Sequence, residues 1–353
     1  MENLEQLNFW KDKKVLITGH TGFKGTWLTI WLKKLGAEVI GFSLEEYPND
    51  QLFNETNISS KMIDIRGNVQ DLDKLKQVFT EQKPEIIFHL AAQPLVRKSY
   101  DEPLDTIKTN VLGTTNVLEC IRGSDSIKVA VIITSDKCYE NKEWVWGYRE
   151  SDEMGGHDPY SCSKGCIEIL VKSYRDSFFK KQSKYVASAR AGNVIGGGDW
   201  SEDRLIPDCI RALRNKQTIE IRYPNSTRPW QHVLEPLSGY LKLAEKMWIE
   251  EKYDEGWNFG PRIDSIKPVG ELVNALIGEW GEGSWADMSK NDEKKHEASS
   301  LSLDISKSYL LLNWKPKLDF TTTISFVVGW YKNYNDSNAY ELCYKQIEEY
   351  ERK

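Results

Sequence analysis

The sequence predicts an α/β fold, in which a doubly wound parallel sheet carries a smaller C-terminal α/β lobe. Three observations support this prediction. Residues 13–44 have the pattern of a strand, a glycine-rich turn, a helix and a second strand. Strands and helices then alternate as far as YVASARAGNVIG at residues 185–196, which is typical of a parallel sheet covered on both faces. After GGGDW, at residues 196–200, the alternation breaks into short segments, which indicates the second lobe.

The segments between residues 44 and 185 are predicted to supply the middle of the sheet. Residues 70–93 predict a helix followed by a buried strand, residues 106–123 a helix, and residues 128–135 another strand. A long helix is predicted from about Tyr160 to Phe179.

These elements suggest how the chain divides. We expect a Rossmann-type dinucleotide-binding domain at residues 1–192, to which residues 231–260 return. Residues 193–230 and 261–353 would form the smaller lobe, laid over the carboxyl ends of the strands. Ligands of open α/β sheets bind at those ends, so the smaller lobe is expected to bind the substrate.

Composition and charge exclude several classes of partner. Of 353 residues, 40% are hydrophobic, and 47 basic residues stand against 53 acidic ones, for a net charge of −6. Because no basic surplus exists to neutralise phosphates, neither nucleic acid nor a membrane surface is an expected partner. No run approaches the roughly 20 apolar residues of a spanning helix, and the first residues lack a secretory pattern, so we expect a cytoplasmic protein.

The six cysteines predict reduced thiols, because they are scattered without paired C-x-x-C spacing. Cys162 and Cys166 are four residues apart and could share a helix face, which is a metal-ligand spacing. Neither a histidine nor a second close cysteine pair completes a set of four ligands, so no metal site is expected.

The glycine-rich turn TGHTGFKG predicts a dinucleotide site. Gly19, Gly22 and Gly25 have G-x-x-G-x-x-G spacing between a predicted strand and a predicted helix. Glycines allow a tight turn and the close approach of a pyrophosphate, and the helix N-terminus supplies N–H donors. The alternative is a plain glycine-rich turn that binds nothing.

The choice between NAD and NADP rests on the end of the second strand, where an acidic residue normally binds the ribose. The stretch IGFSLEE offers Ser43 there, with Glu45 and Glu46 just beyond. Asp64 ends a predicted third strand in MIDIRG, and we expect it to meet the adenine edge together with Ile65.

The segment YSCSK places Tyr160 and Lys164 four residues apart, on one face of the long predicted helix. A lysine cation beside a phenol favours the phenolate, so we expect Lys164 to lower the pKa of Tyr160 and make it a usable base. This spacing is common in ordinary helices. It gains weight from the glycine turn upstream and from Ser135, which ends the apolar run VAVIITS.

Two opposite charges, Asp136 and Lys137, directly follow Ser135 in TSDKCY. Ionisable groups at the carboxyl end of a buried parallel strand lie where ligands bind in this class of fold. The alternative is a charge pair that only caps the strand end.

The motifs TGHTGFKG, LAAQ, TNVLGT, YSCSK, RAGNVIGGGDW and RPWQHV occur in this order through about two thirds of the chain. Together they resemble the extended, sugar-nucleotide branch of the short-chain dehydrogenase/reductase superfamily. Within it, TSDKCY, NKEWVWGYRE and RAGNVIGGGDW are most similar to the 4,6-dehydratases whose substrate is CDP-glucose. The resemblance implies NAD as cofactor, held by Tyr160, Lys164 and the glycine turn with Phe23, and by the strand end at Ala91 and Ala92.

The resemblance also implies a reaction, the 4,6-dehydration of CDP-glucose to a 4-keto-6-deoxy sugar for deoxysugar biosynthesis. Such an enzyme oxidises C4, loses water across C5 and C6, and returns the hydride to C6. Ser135 would hydrogen-bond the 4-hydroxyl, and Tyr160 with Lys164 would remove its proton. Asp136 would protonate the leaving oxygen. Lys137 stands where the dTDP- and GDP-sugar relatives have a glutamate as the C5 base.

Substrate contacts and assembly follow from the same resemblance. Arginine forks in loops suit a pyrophosphate, and Arg228 has the neighbourhood that matches the family most fully. Relatives pair through helices of the dinucleotide domain, so a homodimer or higher homo-oligomer is expected, with residues 109–121 and 160–174 as candidate surfaces. The residues expected to hold the sugar nucleotide are Gln93, Asn193, Arg204, Arg228 and His232.

Two other functions stay open on the sequence. A sugar-nucleotide 4-epimerase shares the glycine turn and the Tyr–Lys pair but needs no acid and base beside the serine, so Asp136 and Lys137 argue against it. A non-catalytic NAD-binding regulator could keep the fold without the chemistry. The complete set of Ser135, Tyr160 and Lys164 argues against that second alternative.

Overall fold

Seven parallel strands form the main sheet in a computed structural model that describes residues 9–45, 51–289, 300–335 and 337–353. Across the sheet their order is β3-β2-β1-β4-β5-β6-β11, and each neighbouring pair is parallel. The predicted Rossmann-type fold is confirmed. The order reverses between β1 and β4, and ligands of such sheets bind in the crevice at that point. The strands are β1 (Lys14–Thr18), β2 (Glu38–Ser43), β3 (Ile63–Arg66), β4 (Ile86–His89), β5 (Val129–Ile133), β6 (Tyr185–Ala191) and β11 (Gly256–Phe259).

Helices cover both faces of this sheet. Side chains alternate between the faces along each strand, so Val15 and Ile17 enter one hydrophobic core while Leu16 enters the other. None of the helices in the described ranges is long and apolar enough to cross a membrane. The helices are α1 (Phe23–Lys34), α2 (Gln51–Thr56), α3 (Leu72–Gln82), α4 (Val96–Asp101), α5 (Pro103–Ile107), α6 (Gly113–Gly123), α7 (Pro159–Ser177), α8 (Leu205–Arg214), α9 (Leu234–Glu250), α10 (Val269–Trp280), α11 (Ser306–Leu312), α12 (Phe320–Asn333) and α13 (Ala339–Arg352).

Two short turns interrupt the regular pattern near the crevice. A π-helical turn, Lys108–Leu112, joins α5 to α6, and a 3₁₀ turn, Asp136–Cys138, follows β5. Such turns often lie at functional sites, because they re-aim side chains that a regular helix would direct elsewhere.

The start of α7 is set by Asp158, whose side chain accepts a hydrogen bond from the Ser161 nitrogen. Pro159 follows at the first helical position, where its missing N–H costs nothing. Tyr160 therefore lies in the first turn of α7, close to the end of β5.

The second half of the chain contributes to both parts of the molecule. Helix α9 packs on β5 and β6, and β11 extends the main sheet beside β6. The last helix, α13, packs against α1, where Glu351 accepts hydrogen bonds from Trp31 Nε1 and Lys34 Nζ, both at 2.8 Å. The C-terminal helix thus lies against the helix that follows β1.

Three small strand pairs build the rest. They are a parallel pair of β7 (Val194–Ile195) with β10 (Gln231–His232), a parallel pair of β8 (Ile219–Ile221) with β13 (Trp285–Asp287), and an antiparallel pair of β9 (Thr227–Pro229) with β12 (Ile266–Pro268). The β9 pair brings Arg228 toward the end of β5, next to Asp136.

Candidate active site

The turn after β1 contains two glycines that the packing of the chain itself requires. Gly19 has a φ of +75°, and a Cβ there would lie 2.7 Å from the Ala91 nitrogen. A Cβ on Gly25 would lie 2.1 Å from the Gly19 carbonyl oxygen. These close approaches pack β1, α1 and the end of β4 together at the carboxyl edge of the sheet.

Gly22 differs, because it borders open space. A Cβ there would meet only the Gly19 oxygen, at an ordinary 3.5 Å, and its φ of −70° suits any residue. Packing therefore does not demand glycine at this position, whereas a ligand approaching the N-terminus of α1 would. Phe23 is the first residue of that helix. The open cradle fits the pyrophosphate of a dinucleotide, so the residues present fit NAD.

Polar side chains close the turn on the side of β2 and β3. Thr21 Oγ1 and Ser43 Oγ lie 2.8 Å apart. Asp64 Oδ1 lies 2.9 Å from His20 Nε2, and Asp64 Oδ2 accepts a bond of 2.7 Å from Arg66 Nη2. Burial lowers the pKa of His20, so its imidazole is neutral and donates to the carboxylate.

The predicted adenine and ribose contacts lie along the same edge. Ile65 is half-buried within β3, Ser43 ends β2, and Glu45 is exposed just after it. Glu46 lies outside the described residues. The roles of Asp64 and Ile65 toward adenine stay predictions, and Asp64 already has two partners within the protein.

Ala91, Ala92 and Gln93 follow β4, and Ala91 packs on Gly19. The Gln93 side chain turns inward: its Nε2 donates to Thr106 Oγ1 at 2.9 Å, and its Oε1 accepts from the Leu95 nitrogen at 2.6 Å. These bonds shape the loop after β4. A substrate contact through Gln93 stays a prediction.

Asn110 is a buried residue that motif reasoning did not single out. It lies in the π-helical turn, where Oδ1 accepts from the Gln93 nitrogen at 2.8 Å and Nδ2 donates to Ser163 Oγ at 2.9 Å. The side chain therefore links the loop after β4 to α7. Asn110 lies within the TNVLGT motif, but a π-helical turn is not recognisable in a single sequence, so its linking role was missed.

Ser135 begins the 3₁₀ turn after β5. Its Oγ donates to Asp136 Oδ1 at 2.9 Å and accepts from the Lys137 nitrogen at 3.2 Å. Ser135 also interacts with the Tyr160 phenol, and this interaction lowers the pKa of the phenol. The serine thus connects the charged pair after β5 with the tyrosine on α7.

Tyr160 and Lys164 lie four residues apart on α7, the predicted helix, and both are buried. Lys164 Nζ donates to the Ile133 carbonyl oxygen at 3.3 Å and lies 5.9 Å from the centre of the Tyr160 ring. The predicted lowering of the Tyr160 pKa is wrong, because burial raises that pKa to about 12. Burial also lowers the pKa of Lys164, to about 8. Desolvation outweighs the pairing that the motif suggested.

Asp136 is 3% exposed, and burial raises the pKa of its carboxyl. The charges of Lys137 and Arg228 and the bond from Ser135 oppose that rise. Among the described residues, Oδ2 of Asp136 has no hydrogen-bond partner. A carboxyl in this state is suited to hold a proton and give it to an oxygen of a ligand. Lys137 is half-buried beside it.

The predicted substrate contacts fall into two groups. Arg204 lies close enough for its charge to lower the pKa of Tyr160, and its Nη1 donates to Asp199 Oδ2 at 3.1 Å. Asn193 is half-buried just after β6, and its carbonyl oxygen accepts from the Gln231 nitrogen. With Arg228, these residues lie on the Asp136 side of the crevice.

His232 lies elsewhere, fully buried between the rings of Trp27 and Phe326. Its Nδ1 accepts from the Leu234 nitrogen at 3.3 Å, and burial lowers its pKa to about 3. These contacts give His232 a packing role at the start of α9. A substrate contact through it stays a prediction.

Lys24 is a further charged group at the site that motif reasoning missed. It lies in the first turn of α1, and the groups whose charges act on it are Arg204, Lys164, Asp136 and Asp199. Burial lowers its pKa to about 7. The signal was visible in GFKG, because a charged residue stands there in an otherwise small and apolar turn.

A protein-family model described as GDP-mannose 4,6 dehydratase matches residues 16–326. The chain belongs to this family. The CDP-glucose 4,6-dehydratase of Salmonella typhimurium is 47% identical in an alignment of 346 residues that covers 96% of this chain and 96% of that protein. The resemblance inferred from the motifs is therefore confirmed.

Solved structures of dehydratases and epimerases share the fold. The dTDP-glucose 4,6-dehydratase of Streptomyces venezuelae, crystallised with NAD and TYD, has a TM-score of 0.78 at 21% identity, over 90% of this chain and 96% of that one. The UDP-glucose-4-epimerase of Stenotrophomonas maltophila, with bound NAD, has a TM-score of 0.79 at 17% identity, over 91% and 98%. At these identities the likeness shows only that the fold is shared. The same fold occurs in the dehydratase and in the epimerase.

Proposed function

We propose that this protein is an NAD-dependent 4,6-dehydratase that converts CDP-glucose to CDP-4-keto-6-deoxy-D-glucose. One observation carries the proposal: Asp136, a buried carboxyl with a raised pKa, lies hydrogen-bonded to Ser135 beside the Tyr160–Lys164 pair. Oxidation of an alcohol needs the serine, tyrosine and lysine, whereas loss of water needs an added acid. The identity of 47% to a CDP-glucose 4,6-dehydratase supports the nucleobase.

The first part of the reaction takes place at the sugar 4-hydroxyl. Gly22 and the N-terminus of α1 would hold NAD, which would supply a reversible hydride acceptor for the sugar carbons. Ser135 orients the 4-hydroxyl through its Oγ, and Tyr160 takes the hydroxyl proton at its phenolic oxygen. Because burial holds the pKa of Tyr160 at about 12, its deprotonation depends on nearby positive charge, and Arg204 acts in that direction.

The second part removes water across C5 and C6. Once C4 is a ketone the C5 hydrogen is acidic, and a base must take it while an acid protonates the departing 6-hydroxyl. Asp136 is the acid, because its raised pKa keeps the carboxyl protonated to a higher pH than an exposed aspartate. We assign Lys137 as the C5 base, since it adjoins Asp136 on the same turn.

The remaining polar groups hold the sugar nucleotide. Arg204, Arg228 and Asn193 lie on the side of the crevice formed by the smaller lobe, and the two arginines suit the pyrophosphate. Arg228 also lowers the pKa of Asp136 through its charge, so it acts near the reacting carbons as well.

A 4-epimerase is the second candidate, because an epimerase shares the fold with a TM-score of 0.79. That reaction needs no proton for a leaving hydroxyl. The buried acid at Asp136 favours the dehydratase.

The deciding experiment is incubation of the purified protein with CDP-glucose, followed by mass spectrometry of the sugar nucleotide. Loss of one water supports the dehydratase, whereas a product of unchanged mass with inverted C4 supports the epimerase. UDP-glucose and dTDP-glucose in parallel reactions test the nucleobase. An unchanged substrate in all three reactions, with NAD bound, would leave the regulator as the better description.

We infer in addition that the protein forms a homodimer through α7 and the segment that leads into α6. Apolar side chains on these two parts stay exposed in the single chain: Leu104 is 64%, Leu112 47% and Ile169 61% accessible. Cys162 is exposed on the same helix as Ile169. Sedimentation equilibrium of the wild type and of an Ile169→Glu variant tests this, since the charge should shift the equilibrium toward the monomer.

A further inference from the structure

A buried ion pair between Glu168 and Arg190 lies next to the catalytic turn, which consists of residues 135–138 after β5. Glu168 is on α7, four residues after Lys164, and Arg190 is near the end of β6. Arg190 Nη2 lies 2.7 Å from Glu168 Oε2, and the two side chains are 5% and 4% exposed. The surrounding donors and the arginine charge keep the pKa of Glu168 below its usual value despite burial, so the pair is ionised.

Each member of this pair holds one end of the catalytic turn. Thr134, the residue before Ser135, donates its Oγ1 to Glu168 Oε1. Tyr139, the residue after Cys138, accepts from Arg190 Nη1 at 2.5 Å. The four residues 135–138 are therefore bracketed by two hydrogen bonds to the two halves of one ion pair.

The pair is itself anchored on several elements. Ser188 Oγ of β6 donates to Glu168 Oε2 at 2.6 Å. The Tyr139 hydroxyl also donates to Asn258 Oδ1 of β11 at 2.7 Å. A Cβ on Gly256 would lie 2.3 Å from Arg190 Nη2, so the guanidinium fills the space beside that glycine. The ion pair thus has little freedom to move.

We propose that Glu168 and Arg190 are positioning residues, whose ion pair holds residues 135–138 in register with Tyr160 and Lys164 on α7. Both side chains are buried within the protein. Their effect passes through Thr134 and Tyr139. A misplacement of about 1 Å at reacting groups can cost about 10²-fold in rate, so such anchoring matters to catalysis.

The pair also has an electrostatic effect on Lys164, which supports the proposal. Burial lowers the pKa of Lys164 to about 8, and the neighbouring carboxylate of Glu168 opposes that shift. The other titratable groups facing Lys164 are Cys138 after β5, Tyr160 on α7, His89 on β4 and Lys24 on α1. Removing the Glu168 charge should therefore lower the pKa of Lys164 further.

The proposal rests on the proposed function for its rate readout, so the test includes a readout that does not. First, the reduction of bound NAD⁺ is followed in a single turnover with CDP-glucose as a function of pH. Second, the pKa of Lys164 is measured by competitive acylation and peptide mass spectrometry, without any substrate. Failure of the wild type to turn over CDP-glucose would count against the proposed function, while the acylation result would still test the role of Glu168.

Four variants separate the positioning effect from loss of folding. We expect Glu168→Gln to slow NAD⁺ reduction about 10²-fold and to shift the Lys164 pKa downward. Thr134→Val removes one bracketing bond without a charge, so it should slow the reaction about 10-fold with the Lys164 pKa unchanged. The double variant should be slower than Glu168→Gln alone, because the glutamine oxygen can still accept from Thr134 and Thr134→Val then removes that bond as well. Asp176→Asn is the control, since Asp176 is an exposed carboxylate on the same helix, paired with Lys180.

Glu168→Gln could leave Arg190 as an uncompensated buried charge and prevent folding. The variant with both Glu168→Gln and Arg190→Gln removes both charges and keeps the hydrogen-bonding groups, so it should fold and still show the lowered Lys164 pKa. The proposal is overturned if the folded variants lose thermal stability while the rate at saturating CDP-glucose and the Lys164 pKa both match those of the wild type. A rise in KM alone, with an unchanged maximal rate, would also overturn it.

Discussion

The carboxyl of Asp136 occupies space beside Gly192 that a side chain at that position would need. A Cβ at that glycine would lie 2.9 Å from Asp136 Oδ2 and 2.8 Å from the Pro229 ring. Real Cβ atoms do not approach so closely, and the buried Pro229 in β9 has less freedom than a carboxylate oxygen without a hydrogen-bond partner among the described residues. Because Gly192 has no side chain, it leaves the space that the Asp136 carboxyl occupies.

We expect Gly192→Ala to rotate the Asp136 carboxyl and to slow dehydration about 10²-fold, because the acid would be misplaced. Reduction of bound NAD⁺ by CDP-glucose should continue, since Tyr160 lies on a different element. Single-turnover absorbance of NADH and mass spectrometry of the product measure the two steps. Gly278→Ala is the matched control, because a Cβ at Gly278 meets nothing within 4 Å. Equal slowing of both steps by Gly192→Ala would contradict this account.

Motif spacing predicted the parts of this site that are local in the chain. The glycine turn, the Tyr160 and Lys164 face of α7 and the turn after β5 each depend on residues within one element, so short-range pattern sufficed. The parallel sheet covered on both faces followed from the alternation of helices and strands.

The parts that sequence reasoning missed depend on which elements meet. The approach of Lys24 to Asp136 and Asp199, and that of Arg190 to Tyr139, join residues far apart in the chain. The expected pKa of Tyr160 was wrong for a related reason, because spacing gives the neighbours along a helix but not the depth of burial.

Arg228 should affect the acid as well as substrate binding, because its positive charge lowers the pKa of Asp136. In Arg228→Ala that pKa should rise further, so Asp136 would stay protonated to a higher pH. In a plot of dehydration rate against pH, the alkaline limb should therefore move to higher pH. KM for CDP-glucose should also rise. Arg228→Lys keeps the charge and should keep the limb near its wild-type position. A raised KM with an unmoved limb would restrict Arg228 to holding the pyrophosphate.

Titration of the buried Glu235 carboxyl should make the free energy of unfolding depend on pH, and this effect does not involve the catalytic residues. Burial raises its pKa from 4.5 to about 7, although Leu318, Tyr350 and Lys317 donate to it or attract it. The folded state therefore favours the protonated form. The contribution of Glu235 to the free energy of unfolding is complete below pH 4.5 and is lost as the pH rises through 7. The free energy of unfolding falls by about 3 kcal/mol over this range.

Glu235→Gln should remove this dependence, because glutamine does not titrate and can still accept from the two backbone nitrogens. Urea denaturation at several pH values between 5 and 8 measures the effect as a difference from the wild type. The exposed Glu349 on α13 provides a control, since Glu349→Gln should leave the wild-type curve unchanged. Parallel curves for the wild type and Glu235→Gln would show that the carboxyl does not titrate in this range.

The two charges after Ser135 should be needed only for the second half of the reaction. Asp136→Asn and Lys137→Ala should still reduce bound NAD⁺ when mixed with CDP-glucose, because oxidation at C4 uses Tyr160. Tyr160→Phe should not reduce it, since the base for the 4-hydroxyl is gone. Each substitution at the acid or the base should slow product formation by about 10² to 10⁴, which separates the steps in a single turnover.

Deuterium at C5 then distinguishes the acid from the base. In Asp136→Asn the C5 proton can still leave, so solvent deuterium should enter C5 while water loss is slow. If Lys137 is the base, Lys137→Ala should form NADH yet incorporate little deuterium at C5, and Lys137→Arg should behave in the same way because arginine stays protonated. Undiminished exchange in Lys137→Ala would move the base to another residue and leave Lys137 as a charge that lowers the pKa of Asp136.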